Sequence, residues 1–366
     1  MKSKVYFADF RTTMQENLFA KLRRLMKRAG FERIDFAGKY TAVKIHFGEP
    51  GNIAFLRPNW ARTVADYVKE LGGRPFLTDA NTLYAGGRNN ALSHLESADI
   101  NGFTPLTTGC HGIIADGLKG TDEVEVPLTG TVHCRSAKIG RAVMDADVIV
   151  TLTHVKGHEL MGLGGVIKNV GMGCGSRAGK FEMHSEGKPV IDASLCVNCG
   201  MCRRVCGQDA LQPKNGRMTI DRAKCAGCGR CISACHRGAM TCEWGEQSTR
   251  FLDEKTAEYA LAVLKDRPAF HVAFIRDVSP NCDCCPGNDA AIIPDVGMLA
   301  GTDPVAIDAA CGDLCRQAPR IAGTKLDGVA KRHDPFDGMH GTHWRWAIEH
   351  GERIGLGSAD YELVKI

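Results

Sequence analysis

Cys196-Val197-Asn198-Cys199-Gly200-Met201-Cys202-Arg203-Arg204-Val205-Cys206, echoed by Cys225-Ala226-Gly227-Cys228-Gly229-Arg230-Cys231-Ile232-Ser233-Ala234-Cys235, is the stretch on which the architecture turns. Each half reads C-x2-C-x2-C-x3-C. That spacing suits a cubane: three thiolates two residues apart hold three irons of one cluster, and the fourth reaches across to the other. The expectation is two [4Fe-4S] clusters with crossed ligation. Cys196, Cys199 and Cys202 share one with Cys235, and Cys225, Cys228 and Cys231 share the other with Cys206. Zinc is bound four ligands at a time, by CxxC pairs or Cys/His mixtures, and does not require the three-plus-one pattern twice. Disulfides belong to oxidising compartments and small secreted chains. Bacterial ferredoxins usually carry Pro after the fourth cysteine, but Gly207 and His236 stand there. That bears on local packing and solvent access, not on ligation.

The surrounding 366 residues are long enough for two domains or three. A content of 44% hydrophobic and 24% charged residues is that of a soluble globular chain. No apolar run of about 18 residues suits a membrane span. The N-terminus lacks the apolar core and cleavage site of a signal peptide. With 17 cysteines, these features lead to a cytoplasmic expectation, with the thiols used for metal. The formal charge of +4 counts cysteines as neutral. Two clusters of about −2 each would cancel it, so nucleic acid is not implied. The basic run Lys21, Arg23, Arg24, Lys27 and Arg28 reads as the solvated face of a helix.

Outside the cysteine stretch, strand-like and helix-like segments alternate. Lys4–Phe10, Ala42–Phe47, Arg74–Thr78, Asp147–Leu152 and Ala269–Ile275 read as strands. Met14–Ala29, Pro58–Leu71, Asn89–Ser97, Ser136–Met144, Asp253–Lys265 and Asp303–Arg316 read as helices. The fold class expected is α/β: a mostly parallel sheet with helices on both faces, interrupted by a small α+β ferredoxin-like dicluster module. The boundaries are 1–188 for the first part of the host domain, 189–245 for the module, and 246–366 for the second part. The two cysteine sets repeat at about 29 residues, as a pseudo-twofold dicluster module would, with too few copies for a solenoid.

Polar residues gather just after the strands, where open α/β sheets bind ligands. Lys44 and His46 follow one strand, Asp79 and Asn81 another, with Arg57 and Arg88 as further candidates. His154, Lys156 and His158 follow a third. A glycine-rich stretch from Gly162 to Lys180 then carries Lys168 and Cys174. It fits neither a Walker A loop nor a G-x-G-x-x-G fingerprint. It reads equally as an anion-holding nest, with Lys168 and Lys180, or as a tight turn on the sheet. Of the other cysteines, Cys110, Cys134, Cys242, Cys311 and Cys315 read as small buried residues. Cys282-Asp283-Cys284-Cys285 is a denser group in a polar loop. With Cys174 it is a candidate for a third iron–sulfur centre; a redox-active thiol pair and a soft-metal trap are the alternatives.

Together, KIHFGE at Lys44–Glu49, TDANTLY at Thr78–Tyr84, HVKGHE at His154–Glu159, GGVIKNVGMGC at Gly164–Cys174, Gly179-Lys180, Met183-His184, the CDC of Cys282–Cys284 and DVGMLAGTDPVAIDAA at Asp295–Ala310 resemble the DUF362 family of iron–sulfur centre proteins. The resemblance spans nearly the whole chain. It implies a host α/β domain with a dicluster insert and supplies no substrate. Cys174, Cys282 and Cys284 match its motif positions, whereas Cys285 stands outside them.

The function expected from these residues is a cytosolic iron–sulfur oxidoreductase. Two clusters pass electrons to a site in the α/β domain, where Lys44, His46, His154, Lys156, His158 and Lys168 bind and protonate a small anionic substrate. The alternatives are a non-enzymatic electron carrier or adaptor feeding a partner, and a sulfur- or metal-handling protein acting through the CDCC loop. A redox partner or electron donor is required in the first two cases. No motif calls for a flavin, and none speaks to the oligomeric state.

Overall fold

A computed structural model of the chain describes residues 2–84, 86–184, 189–225, 230–241 and 246–366. Its centre is an eight-stranded sheet: β1 (Ser3–Ala8), β2 (Tyr40–Lys44), β3 (Arg74–Asp79), β4 (Gly112–Ile114), β5 (Val148–His154), β6 (Ala269–Ile275), β7 (Gly297–Gly301) and β8 (Tyr361–Lys365). The spatial order is β8-β1-β7-β6-β5-β2-β3-β4. All neighbours are parallel except β7, which runs antiparallel to both β1 and β6. The sheet is therefore mostly parallel, as expected. From β2 the chain winds outward through β3 to β4, and from β5 it winds the other way. The order reverses between β2 and β5, which is where such sheets open a crevice at the strand carboxyl ends.

Alternate residues of the central strands feed two cores, the period-two signature of a sheet covered on both faces. Val148, Val150, Leu152, Phe270, Val272 and Phe274 pack with helices α1 (Leu18–Arg28) and α2 (Pro58–Glu70). Ile149, Ala273, Ile275 and Leu299 face α3 (Val166–Cys174), α5 (Glu246–Leu264) and α6 (Pro304–Gln317). Helix starts follow the local chemistry. Asn17 accepts the N–H groups of Phe19 and Ala20 ahead of α1, and Asp303 those of Val305 and Ala306 ahead of α6.

Two local expectations are corrected. Ser136–Met144 is not one helix: Ser136–Gly140 is a strand paired antiparallel with Glu123–Pro127, and only Arg141–Met144 is helical. The alternating burial of Ser136–Gly140 shows that period two, not period 3.6, governs that segment. The glycine-rich stretch is neither nest nor turn over most of its length but two helices, α3 and α4 (Arg177–His184). Its glycines serve close approach. A Cβ on Gly171 would collide with the Thr256 carbonyl of α5, and one on Gly179 with the Lys138 carbonyl and the Tyr259 ring. The acceptor at the α3 N-terminus is the protein's own: the Asp308 carboxyl accepts the N–H groups of Val166 and Ile167 at 2.6 and 2.8 Å, and burial raises its pKa to about 7.

Residues 190–241 make two small antiparallel pairs, Val190–Ile191 with Met240–Thr241 and Leu211–Lys214 with Arg217–Ile220. Their hydrogen bonds recur at about 29 residues, as a duplicated unit requires. Cys196 N–H donates to Asp192 O and Cys225 N–H to Asp221 O; Asp192 N–H donates to Ala239 O and Asp221 N–H to Ala210 O. The segment has its own small core, in which Cys202, Cys231 and Cys235 pack with Leu211, Met218 and Met240, and it meets the larger domain through Leu83 and Phe181.

Candidate functional site

The carboxyl ends of β2, β3 and β5 open into a cavity of about 440 Å³, roofed by Ile232, Cys235, Gly238 and Met240 of the 190–241 segment. Its walls carry Lys44, Arg88, Lys156, Lys168 and Lys180 against the carboxylates Asp79 and Glu159. The expected site residues Lys44, His46, Lys156, His158 and Lys168 all line it, so residues far apart in sequence converge here.

Lys44 is fixed by neighbours on two elements, with Asp79 Oδ1 at 3.0 Å and Asn169 Oδ1 at 2.8 Å. Burial alone would raise the Asp79 carboxyl, but Lys44 and the nearby imidazoles hold it well below the usual carboxylate range. Arg88 pairs with Glu49 at 2.8 Å and also approaches Asp79. His46 accepts the Gly48 N–H on Nδ1, which leaves Nε2–H as a donor. Burial, then Arg88, keep this imidazole neutral by pushing its pKa well down. Lys180 was not among the residues expected to act in catalysis. It lies fully inside the cavity wall, its Nζ donates to Gly175 O at 2.6 Å, and burial lowers its pKa to about 8. Asp79 and Arg88 had strand-end positions to mark them; the burial that tunes Lys180 leaves no trace in sequence.

His154 plays a different part from the cavity-lining groups. Its Nδ1 meets Asp283 at 2.9 Å and its Nε2 meets the Arg276 carbonyl at 2.8 Å. Both partners accept, so both ring nitrogens donate. Lys156 also reaches Asp283, at 3.3 Å. Burial works against the Asp283 charge, but His154 and Lys156 hold its pKa far down. This buried clamp seizes the middle residue of Cys282-Asp283-Cys284 and so fixes both cysteines. The sequence places Asp283 in the CDCC loop but gives it no role, because its partner His154 lies 129 residues away.

The third-centre ligand set changes in the structure. Cys282, Cys284 and His158 each place a donor atom within 4.8 Å of the others, a grouping of the size a metal ion could use. Cys174 is not in it. That thiol is buried in the apolar core at the end of α3, where burial raises its pKa to about 11. Cys285 turns its Sγ to Glu159, at 3.4 Å. Among the described residues the four cysteines do not form one group of that size. Cys282 is wholly buried, with Lys168 Nζ 3.2 Å from its sulfur, whereas Cys284 opens on the cavity. A hydrogen bond from the Cys284 thiol, with Lys168 nearby, holds the Cys282 thiol well below its ordinary pKa, whereas the same contact pushes the Cys284 thiol well up.

Cys196, Cys199, Cys202 and Cys235 line one small pocket. Asn198 and Gly200 adopt left-handed conformations there, with φ of 53° and 75°, letting the chain curl tightly. Four thiols around one pocket are a donor set that fits an iron–sulfur cluster. Of the second set, Cys206, Cys225 and Cys231 are described and Cys228 lies outside the described residues. The Ala210 N–H donates to the Cys206 sulfur at 3.4 Å. Cys235 lines both the thiol pocket and the large cavity.

A family model described as "Domain of unknown function (DUF362)" matches residues 41–313. Thylakoid-associated protein sll1697 of Synechocystis is 28% identical over 137 residues, which are 37% of this chain and 38% of that protein. The lactate racemase apoprotein of Thermoanaerobacterium thermosaccharolyticum superposes with a TM-score of 0.38 at 11% identity, covering 75% of this chain and 51% of that one. A Thermotoga maritima protein gives 0.38 at 12%, covering 80% and 56%. The chain thus spans about two fifths of its curated relative and about half of each solved structure. No helix among the described residues is long and apolar enough to cross a membrane.

Proposed function

The chain belongs to the DUF362 family, whose description assigns no activity, and we propose that it is an iron–sulfur oxidoreductase reducing or oxidising a small anion in the 440 Å³ cavity. The observation that carries this reading is the double position of Cys235. Its side chain stands among the thiols of Cys196, Cys199 and Cys202 and also in the roof of the cavity. A [4Fe-4S] cluster held there would supply electrons one at a time, within reach of a bound substrate. The second set, Cys206, Cys225, Cys228 and Cys231, would extend the route outward to a donor protein.

The wall residues argue for the charge of the substrate. Five cationic side chains line the wall, with Glu49 and Asp283 paired to Arg88 and Lys156 and Asp79 to Lys44, and His46 adds an N–H donor. Such a surface receives carboxylate or phosphate oxygens. Lys180, with its pKa near 8, exchanges a proton close to neutral pH, which suits chemistry that moves protons with electrons. His154 orients the CDC loop through Asp283 and Lys156 bonds the same carboxylate, so the effect of His154 on turnover is indirect.

Anaerobic iron and sulfide analysis with EPR tests the reading. About eight irons per chain are expected, with about four retained in Cys235→Ser. A protein purified anaerobically with stoichiometric zinc and no sulfide would sink it.

A further inference from the structure

We propose that Cys282 and Cys284 form a two-electron dithiol–disulfide couple that exchanges with a small anionic disulfide entering the cavity. Their sulfurs lie within 4.8 Å of each other. Residues i and i+2 are close enough along the chain for a disulfide, which needs sulfurs about 2.05 Å apart. The two thiols are also inequivalent in the way such couples require. Cys284 opens on the cavity and can meet a substrate, while Cys282 is sealed behind it. Lys168 Nζ and the Cys284 N–H, at 3.2 and 3.5 Å, both point hydrogen at the Cys282 sulfur. The clamp on Asp283 holds the residue between them.

The same three side chains could be taken for a metal site, but the imidazole argues against it. His158 Nδ1 accepts the N–H groups of Leu160 and Met161 at 3.2 and 3.0 Å. A neutral ring then carries its proton on Nε2. Neither nitrogen offers a free lone pair to a cation, whereas the Nε2–H is a donor to sulfur.

The exchange balances without a further reactant. The Cys284 proton passes to the Cys282 sulfur as the Cys284 sulfur attacks one sulfur of the substrate disulfide, and the departing thiolate takes the electron pair of the broken S–S bond. The Cys282 sulfur then gives that proton to the departed thiolate and attacks Cys284, releasing the second fragment as a thiolate. One enzyme thiol, one enzyme thiolate and one disulfide become one enzyme disulfide, one substrate thiol and one substrate thiolate. The cationic walls favour a disulfide bearing carboxylates. This couple stands whether or not iron is held at residues 196–235; only its return to the dithiol by electrons from that segment rests on the proposed function.

The test is to equilibrate the protein anaerobically in oxidised and reduced dithiothreitol mixtures, then alkylate it and map the thiols by mass spectrometry. Cys282 and Cys284 should pass together from alkylated to protected, with the loss of two hydrogens, while Cys285 remains alkylated. Cys284→Ser should abolish the transition, and Cys285→Ser should leave it intact. Glutathione disulfide should oxidise the pair faster than uncharged 2-hydroxyethyl disulfide. Thiols that stay alkylated across the whole range would overturn the proposal. So would protection that needs a stoichiometric metal ion and disappears with a chelator.

Discussion

At the scale of single residues, the site is tuned by who touches whom across the sheet. His154 and Lys156 stood in sequence as catalytic candidates, beside a glycine and a second histidine. In the fold both bond Asp283 and so anchor a loop, and Lys156 also lines the cavity. Lys180 travels in the other direction, from a glycine-rich run to a buried amine whose pKa falls to about 8. The unfolded amine titrates near 10.5, so between about 8 and 10.5 the unfolded chain binds more protons than the folded one. Stability from this group is fully present above that window and is lost as pH falls through it. Wild type should therefore gain stability over Lys180→Met as pH rises from 8 toward 10, measured by urea unfolding at each pH. A flat difference across that range would show the amine to be solvated.

Helices and strands set where those residues can go. The crossing of α3 over α5 depends on Gly171, which leaves room for the Thr256 carbonyl. Gly171→Ala should cost about 1–3 kcal/mol through overpacking, read as a lower midpoint in thermal or urea unfolding. Gly328→Ala, with open space at its Cβ, should stay within about 0.5 kcal/mol of wild type. The same crossing explains why the glycine-rich stretch was ambiguous in sequence. Glycines that admit a neighbouring helix and glycines that cradle a phosphate look alike until the neighbour is seen. The strand bounds were easier. Ala269–Ile275 falls where its β-branched and aromatic pattern placed it, and Arg74–Asp79 within one residue. By contrast β7 and β8, with weak patterns, were not foreseen; Tyr361–Lys365 is a strand because β1 lies open beside it.

At the scale of the whole molecule, the sheet with its two large cores carries a small cysteine-rich segment on its site face. A core made so largely of Cys202, Cys231 and Cys235 with a few apolar partners buries little surface, so its order should depend on metal. Treatment with an iron chelator under reducing conditions should speed trypsin cleavage at the exposed Arg203, Arg204, Lys214 and Arg217 well before any site in the central strands is cut. Equal resistance before and after chelation, followed by mass spectrometry, would show that the segment holds itself together without metal.

The sequence by itself determined the spacing of the two cysteine sets, the mostly parallel α/β sheet, the family and the strand-end location of the polar groups. These are properties of short spacings: a cluster needs thiols at fixed local intervals, and a sheet needs apolar residues at period two. Only the tertiary structure decided which groups share the cavity, that His158 groups with Cys282 and Cys284, that Asp308 fills the helix terminus, and that Cys235 faces two ways. Such contacts join residues from tens of positions apart up to 142, as for Val166 and Asp308, and they are fixed by how helices cross and strands stack, which no local interval encodes.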